Sequence, residues 1–283
     1  QESSGTVVVT DVHTDTFPAL EVEFEVYDPL GGFVSNLQPD NLTITEAGEP
    51  RSLKTLETIN PGVQFTIAIN LSPELSNRFA GKTRLENILL RLDVWVKSQA
   101  EGSMDQVSLA TNTGLQLIRS RIPEEWTSAL NNLGSIDLNA EQSNLTALTR
   151  AVDLATDPSV EGEMKRAILY ITPLPGISAL EALPNLADRA ANQGTKIFVW
   201  LVGSASSASA APEQYAAIEN LAVQTGGSIF VYSGQEALPD PDGYLNPMRY
   251  YYRAAFDSAV QASGSYDIGI EISRAGLVWT AEP

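Results

Sequence analysis

Residues 65–76, FTIAINLSPELS, restrict the possible folds of this chain more than any other stretch. The β-prone apolar run Phe65 to Ile69 breaks off into the polar loop Asn70-Leu71-Ser72-Pro73-Glu74, and a helical pattern begins near Lys82. A helix is expected over Thr83–Ala100, where Leu85, Ile88, Leu89, Leu92, Trp95 and Val96 recur at helical spacing. Strand, polar loop and helix in that order form the unit from which open α/β sheets are built. In such sheets, ligands bind in the loops at the carboxyl ends of the strands.

The alternation continues to about residue 234. Strands are predicted over Gln106–Thr111, with a short partner around Leu115–Ile118, and over Arg166–Ile171, Lys196–Val202 and Ser228–Tyr232. Helices are predicted over Pro123–Asn132, Asn144–Thr156, Ser178–Gln193 and Pro212–Thr225. Pro123 suits a first helical turn and Gly194 a helix stop. The pattern implies a doubly wound, mostly parallel sheet with helices on both faces. The low-complexity stretch Ser204–Ala211 is expected to be a loop on the carboxyl edge.

Both ends of the chain read differently. Residues 6–12 are β-branched. Residues 20–28 alternate Leu20, Val22, Phe24 and Val26 with Glu21, Glu23, Glu25 and Tyr27, which predicts a half-buried strand with a solvated acidic face. Asn41–Thr45, Ser52–Glu57, Arg249–Phe256, Ser265–Ser273 and Leu277–Thr280 add short strands. The expected organisation is an all-β sandwich formed by residues 1–58 and 235–283, with an α/β domain inserted at 59–234. Charge supports a boundary near 60: residues 1–60 hold eleven acids and two bases, half of the net −18, against seventeen and twelve in 61–234.

That acidic excess argues against nucleic-acid binding, which relies on basic contacts to phosphate, and against docking on anionic lipid. The absence of cysteine excludes disulfides, thiolate metal sites and cysteine nucleophiles. No apolar run reaches the ~18 residues of a membrane-spanning helix. No signal-peptide pattern starts at Gln1, and QESSG looks like a processed or engineered end.

Several motifs in order resemble those of von Willebrand factor A domains. The loop after the first strand resembles D-x-S-x-S, with Asn70, Ser72 and Glu74 at its three positions. Residues 105–114 (DQVSLATNTG) are similar to the second strand of that family. EQSNLTAL (141–148) resembles the G-G-T-x-L loop and puts Ser143 at the metal-binding Thr. RAILYITP (166–173) puts Pro173 at the second Asp, and GTKIFVWLVG (194–203) and LAVQTGGSIF (221–230) resemble the later strands.

The resemblance implies the A-domain fold over 59–234 and a divalent-cation site, which in the family draws on two Asp with Ser, Ser and Thr hydroxyls. Here both carboxylates are replaced, so neither metal nor cofactor is expected. The partner-binding candidates at the degenerate site are Asn70, Ser72, Glu74, Ser143 and Pro173. Residues 15–50 resemble the β-domain before A domains in exported bacterial proteins. That implies a secreted or cell-surface location, with anchoring through segments outside this sequence. The expected function is a non-catalytic protein-interaction or adhesion module with a protein partner. The alternative is a Mg²⁺- or Ca²⁺-dependent adhesin that uses Glu74 as a substitute ligand.

Other features point to structure. His13 is the sole histidine and lies in the β flank, which disfavours a Ser-His-Asp hydrolase. Asp240-Pro241-Asp242-Gly243 reads as a domain-crossing turn, and Tyr250–Tyr252, Trp126 and Trp200 read as packing residues.

Overall fold

The computed structural model describes residues 5–99, 102–157, 163–261, 264–274 and 277–281. The first four residues and Ala100, the expected helix end, lie outside that set. The chain divides into two compact units, residues 1–61 with 246–283 and residues 62–245.

The first unit opens with β1 (Thr6–His13), β2 (Ala19–Tyr27), β3 (Leu42–Glu46), β4 (Glu49–Arg51) and β5 (Leu53–Ile59). The second contributes β6 (Val63–Ile69), the hairpin β7 (Arg78–Phe79) and β8 (Lys82–Thr83), then α1 (Arg84–Ser98), β9 (Gln106–Thr111), β10 (Leu115–Ser120), α2 (Pro123–Leu133), α3 (Thr146–Ala155) and β11 (Lys165–Thr172). It continues through α4 (Leu183–Ala191), β12 (Lys196–Val202), α5 (Ala205–Ala210), α6 (Pro212–Gln224), β13 (Ile229–Tyr232) and α7 (Pro241–Leu245). The chain then returns to the first unit with β14 (Tyr251–Asp257), β15 (Ile268–Arg274) and β16 (Leu277–Thr280).

The β unit pairs two four-stranded antiparallel sheets, β1-β2-β14-β5 and β16-β15-β3-β4. Val22, Phe24 and Val26 of one sheet share a core with Ile44, Ile270 and Ile272 of the other, with Tyr252, Phe256 and Trp279. The opposite face of β2 departs from the sequence expectation. Glu23 and Glu25 are only 8% and 7% exposed. β2 lies between β1 and β14, and both acids find partners, Glu23 on those two strands and Glu25 within β2 itself. Arg253 Nη2 reaches Glu23 Oε1 at 2.7 Å, His13 Nε2 lies 3.2 Å from the same atom, and Tyr27 donates to Glu25 Oε2 at 2.5 Å. A paired acid can stay buried where a lone one cannot. Burial, followed by the Glu25 carboxylate, pushes the Tyr27 phenol well above its ordinary value.

The α/β unit is a doubly wound six-stranded sheet of order β10-β9-β6-β11-β12-β13. Every neighbouring pair is parallel except β9 with the edge strand β10. β6 is buried along its whole length, as a central parallel strand should be. α1 starts in a capping box, with Thr83 Oγ1 accepting from Glu86 N–H and the Glu86 carboxylate accepting from Thr83 N–H. Its inner face carries Trp95, which stacks on Trp126 (centroids 5.7 Å apart) and meets Phe65 edge-on at 5.4 Å. A second core under α3, α4 and α6 contains Tyr170, Val199 and Ile218.

Three expectations are corrected. Residues 178–193 split into a 3-10 turn, Ile177–Ala182, and α4, where Pro184 takes an early-turn position that a continuous helix would exclude. Residues 205–210 of the low-complexity stretch form the short helix α5. The α/β unit runs to Leu245 because the supposed crossing turn packs within it. Trp95 Nε1–H donates to Asp242 Oδ1 at 2.8 Å, Tyr244 stacks on Phe198 at 4.4 Å, and Trp200 Nε1–H donates to the Tyr244 hydroxyl at 3.2 Å. No helix among the described residues is long and apolar enough to cross a membrane.

Candidate functional site

Strand order reverses between β6 and β11, the neighbours at the middle of the sheet. In open α/β sheets such a switch point marks the crevice beyond the carboxyl ends of the strands where ligands bind. Asn70 follows β6, Thr172 ends β11, and the loop before α3 supplies Ser143 and Asn144.

Asn70 is 1% exposed and organises this crevice. Its backbone N–H donates to Ile171 O at 2.9 Å. Its side-chain Nδ2 donates to Ser143 Oγ at 2.9 Å and to Thr172 Oγ1 at 3.0 Å, and its Oδ1 accepts the Asn144 N–H at 3.1 Å. The last bond fixes the orientation of the amide, since a flipped side chain would set NH₂ against N–H. Thr172 passes its own proton to Pro173 O at 2.8 Å. Asn144 Oδ1 accepts the Thr146 N–H at 2.8 Å in a local turn that leads into α3.

The electrostatic consequence follows from the donor count. A divalent cation needs about six oxygen lone pairs, some of them on carboxylates. Here the hydroxyls of Ser143 and Thr172 already accept N–H protons from Asn70, and the positive end of the amide points at them. Tyr170 is fully buried beside this cluster. Its phenol is pushed up to about 12 by burial, with Thr172 and Asn70 acting the other way.

The remaining predicted residues are placed unequally. Ser72 is fully buried, and among the described residues its Oγ has no hydrogen-bond partner. Pro173 is buried and offers only its carbonyl. Glu74 is exposed in the turn Pro73–Ser76, where its carbonyl accepts from Arg84 Nη1 at 3.3 Å. Among the described residues, no hydrogen bond joins its carboxylate to Asn70, Ser72 or Ser143. No cluster of three or more His, Cys, Asp or Glu side chains gathers to hold a metal ion among them either.

Sequence reasoning missed two members of the site. Thr172 was visible as the residue before Pro173. Asn112 stood in the turn Thr111-Asn112-Thr113-Gly114, with nothing to show what it would reach. Asn112 Oδ1 accepts the Leu71 N–H at 2.9 Å, and its Nδ2 donates to Leu71 O at 3.0 Å and Gln142 O at 3.2 Å. One amide thus clamps the loops after β6 and β9 to the loop before α3. Asn112→Ala would take the side-chain donor from the carbonyl of buried Leu71 and leave the Leu71 N–H only its bond to Ile69 O at 3.1 Å, at a cost of about 2 kcal/mol. Urea unfolding of the variant measures that cost.

No protein-family model and no curated protein sequence matches the chain. Among solved structures, an aerotolerance-related membrane protein from Bacteroides fragilis, crystallised with multiple mutations to serines, aligns with 61% of this chain and 92% of its own, at 18% identity and a TM-score of 0.45. The SpRpn10 VWA domain aligns with 62% of this chain and 90% of its own, at 13% identity and a TM-score of 0.47. The fold assignment rests on strand order and direction within the sheet.

Proposed function

We propose that this chain, with its von Willebrand A-like α/β unit, is a non-catalytic protein-interaction module. It works outside the cytoplasm and engages a protein partner at the carboxyl edge of the sheet without a bound cation. The Asn70 amide carries this reading, because it sets N–H donors, one of them bonded to Ser143, where a cation would need a carboxylate. The Asn112 clamp supports it by presenting three edge loops as one pre-formed surface, which lowers the ordering cost of binding. The non-catalytic part rests on His13, which belongs to the β unit and is paired with Glu23. The extracytoplasmic part rests on the sequence resemblance of residues 15–50.

A second reading is a cation-dependent adhesin that recruits Glu74. It draws on Ser72, whose buried Oγ lacks a partner among the described residues. A thermal melt in EDTA against millimolar Mg²⁺ or Ca²⁺ separates the two. A cation at about a hundred times its dissociation constant adds about 2.7 kcal/mol, or several degrees in a unit of this size. The first reading predicts no shift, and the second requires one. The partner surface is tested by crosslinked pull-down from native membranes. Glu74→Arg, at the exposed rim, should lose the partner that the wild-type chain retains in EDTA.

A further inference from the structure

A second concavity lies in the β unit, well away in sequence from the Asn70 crevice. Residues of the turn between β1 and β2, with Ser258, Val260, Gln261, Gly264 and Tyr266 after β14, line an open cavity of about 520 Å³. That volume lies within the usual range of small-ligand pockets, roughly 300–1,000 Å³. Its walls are apolar: Val12, Leu20 and Ile268 line it, and Phe17 and Tyr266, 60% and 40% exposed, stand at the opening. Gly264 lets the Tyr266 ring lie close, because a Cβ there would come within 3.2 Å of ring atoms.

The polar lining is one-sided. Glu46 contributes a carboxylate although the residue is only 3% exposed. Its Oε1 accepts from Ser258 Oγ at 2.5 Å, and its Oε2 accepts from Arg51 Nε at 2.8 Å and Ala259 N–H at 3.1 Å. Burial acts to raise the Glu46 pKa, but these hydrogen bonds outweigh it and hold the group below the usual carboxylate range. The carboxylate therefore stays ionised at neutral pH, in an ion pair with Arg51 that leaves part of Oε1 free to accept. Ser258 gives its proton to Glu46 and accepts the Val260 N–H at 3.2 Å, so its remaining capacity is also for acceptance. Among the described residues no lysine or arginine lines the cavity. Acceptors at the base and aromatic faces at the mouth suit a ligand that carries N–H donors and positive charge on an apolar stem.

We infer that this cavity binds a protonated amine on a short apolar body, with the ammonium directed to Glu46 and the body held between Phe17 and Tyr266. The amine can come from a lysine side chain of a protein partner or from a free small amine. The site is independent of the reading given for the α/β sheet edge.

The test is a ¹H–¹⁵N NMR titration of the full chain with 2-phenylethylamine, its N-acetyl derivative and acetyl-lysine-methylamide. Saturable shifts confined to Ala259, Gly264, Tyr266 and their neighbours are expected with the amine. Binding should weaken at least about ten-fold on N-acetylation, and by a similar factor in Tyr266→Ala, equivalent to about 1.4 kcal/mol. Glu46→Gln should also abolish binding. If that variant loses the folded spectrum, Tyr266→Ala, whose ring sits at the mouth, decides. Tighter binding of the lysine derivative assigns the site to a protein partner, and tighter binding of phenylethylamine assigns it to a free amine. Non-saturating shifts would overturn the inference by exposing mere attraction to an acidic chain. Equal shifts with the N-acetyl compound, or Tyr266→Ala binding as well as wild type, would overturn it too.

Discussion

Asn70→Asp is expected to lower the stability of the α/β unit by about 3 kcal/mol at neutral pH, an effect set by burying a carboxylate without a partner ion. The substitution removes both donors to Ser143 and Thr172 and puts an anion at a position that is 1% exposed. Asn144 N–H can still serve one oxygen, and the Ser143 hydroxyl can turn to serve the other, so the charge is partly solvated. Thr172 already spends its proton on Pro173 O.

Desolvation raises the folded-state pKa of the new carboxyl above its unfolded value of about 3.9. The penalty is therefore absent below about pH 4 and grows as the pH rises through the window between the two values. Urea unfolding at acid and neutral pH measures this difference. Millimolar Mg²⁺ should return part of the loss in the variant and none in the wild type, since only the variant offers a carboxylate beside Ser72 and Ser143. A variant as stable as the parent at every pH would show that the crevice does not depend on its central amide.

Trp95→Ala should cost more, about 4 kcal/mol, in the range for large aromatic truncations in cores. Trp95 is 1% exposed, stacks on Trp126 and meets Phe65. It also donates its indole N–H to Asp242, so the truncation removes a partner of α7 together with the packing. Trp95→Phe retains most of the volume and should cost roughly half as much. Val94, its neighbour in sequence, is 49% exposed, and Val94→Ala should stay within about 0.5 kcal/mol. Equal effects at the two positions would contradict the assignment of Trp95 to the joint between α1, α2 and α7.

The α/β core was legible in the sequence because its central strands are apolar on both faces and its helices carry stripes of matching period. β6 and α1 followed directly from that pattern. The alternation of residues 20–28 was read correctly as a strand but wrongly as half wet. Periodicity separates the two faces of a strand without saying whether Arg253 will arrive from a strand more than two hundred residues away to pair with Glu23. The domain end moved to Leu245 for a similar reason, since the contacts of Asp242 and Tyr244 with Trp95 and Trp200 are tertiary. Asn70 could be read from its loop position after a strand, and Ser143 only through the family resemblance of residues 141–148. Asn112 could not, because an Asn in a turn looks the same whether its amide faces solvent or holds three loops together.

The Asn70 side-chain amide itself offers the most direct test. In ¹H–¹⁵N spectra of the selectively labelled full chain, both Nδ2 protons should exchange slowly with solvent and keep their shifts when Mg²⁺ is added to millimolar concentration. Rapid exchange of that pair, or a saturable Mg²⁺-dependent shift, would mean that the crevice is open to a cation after all.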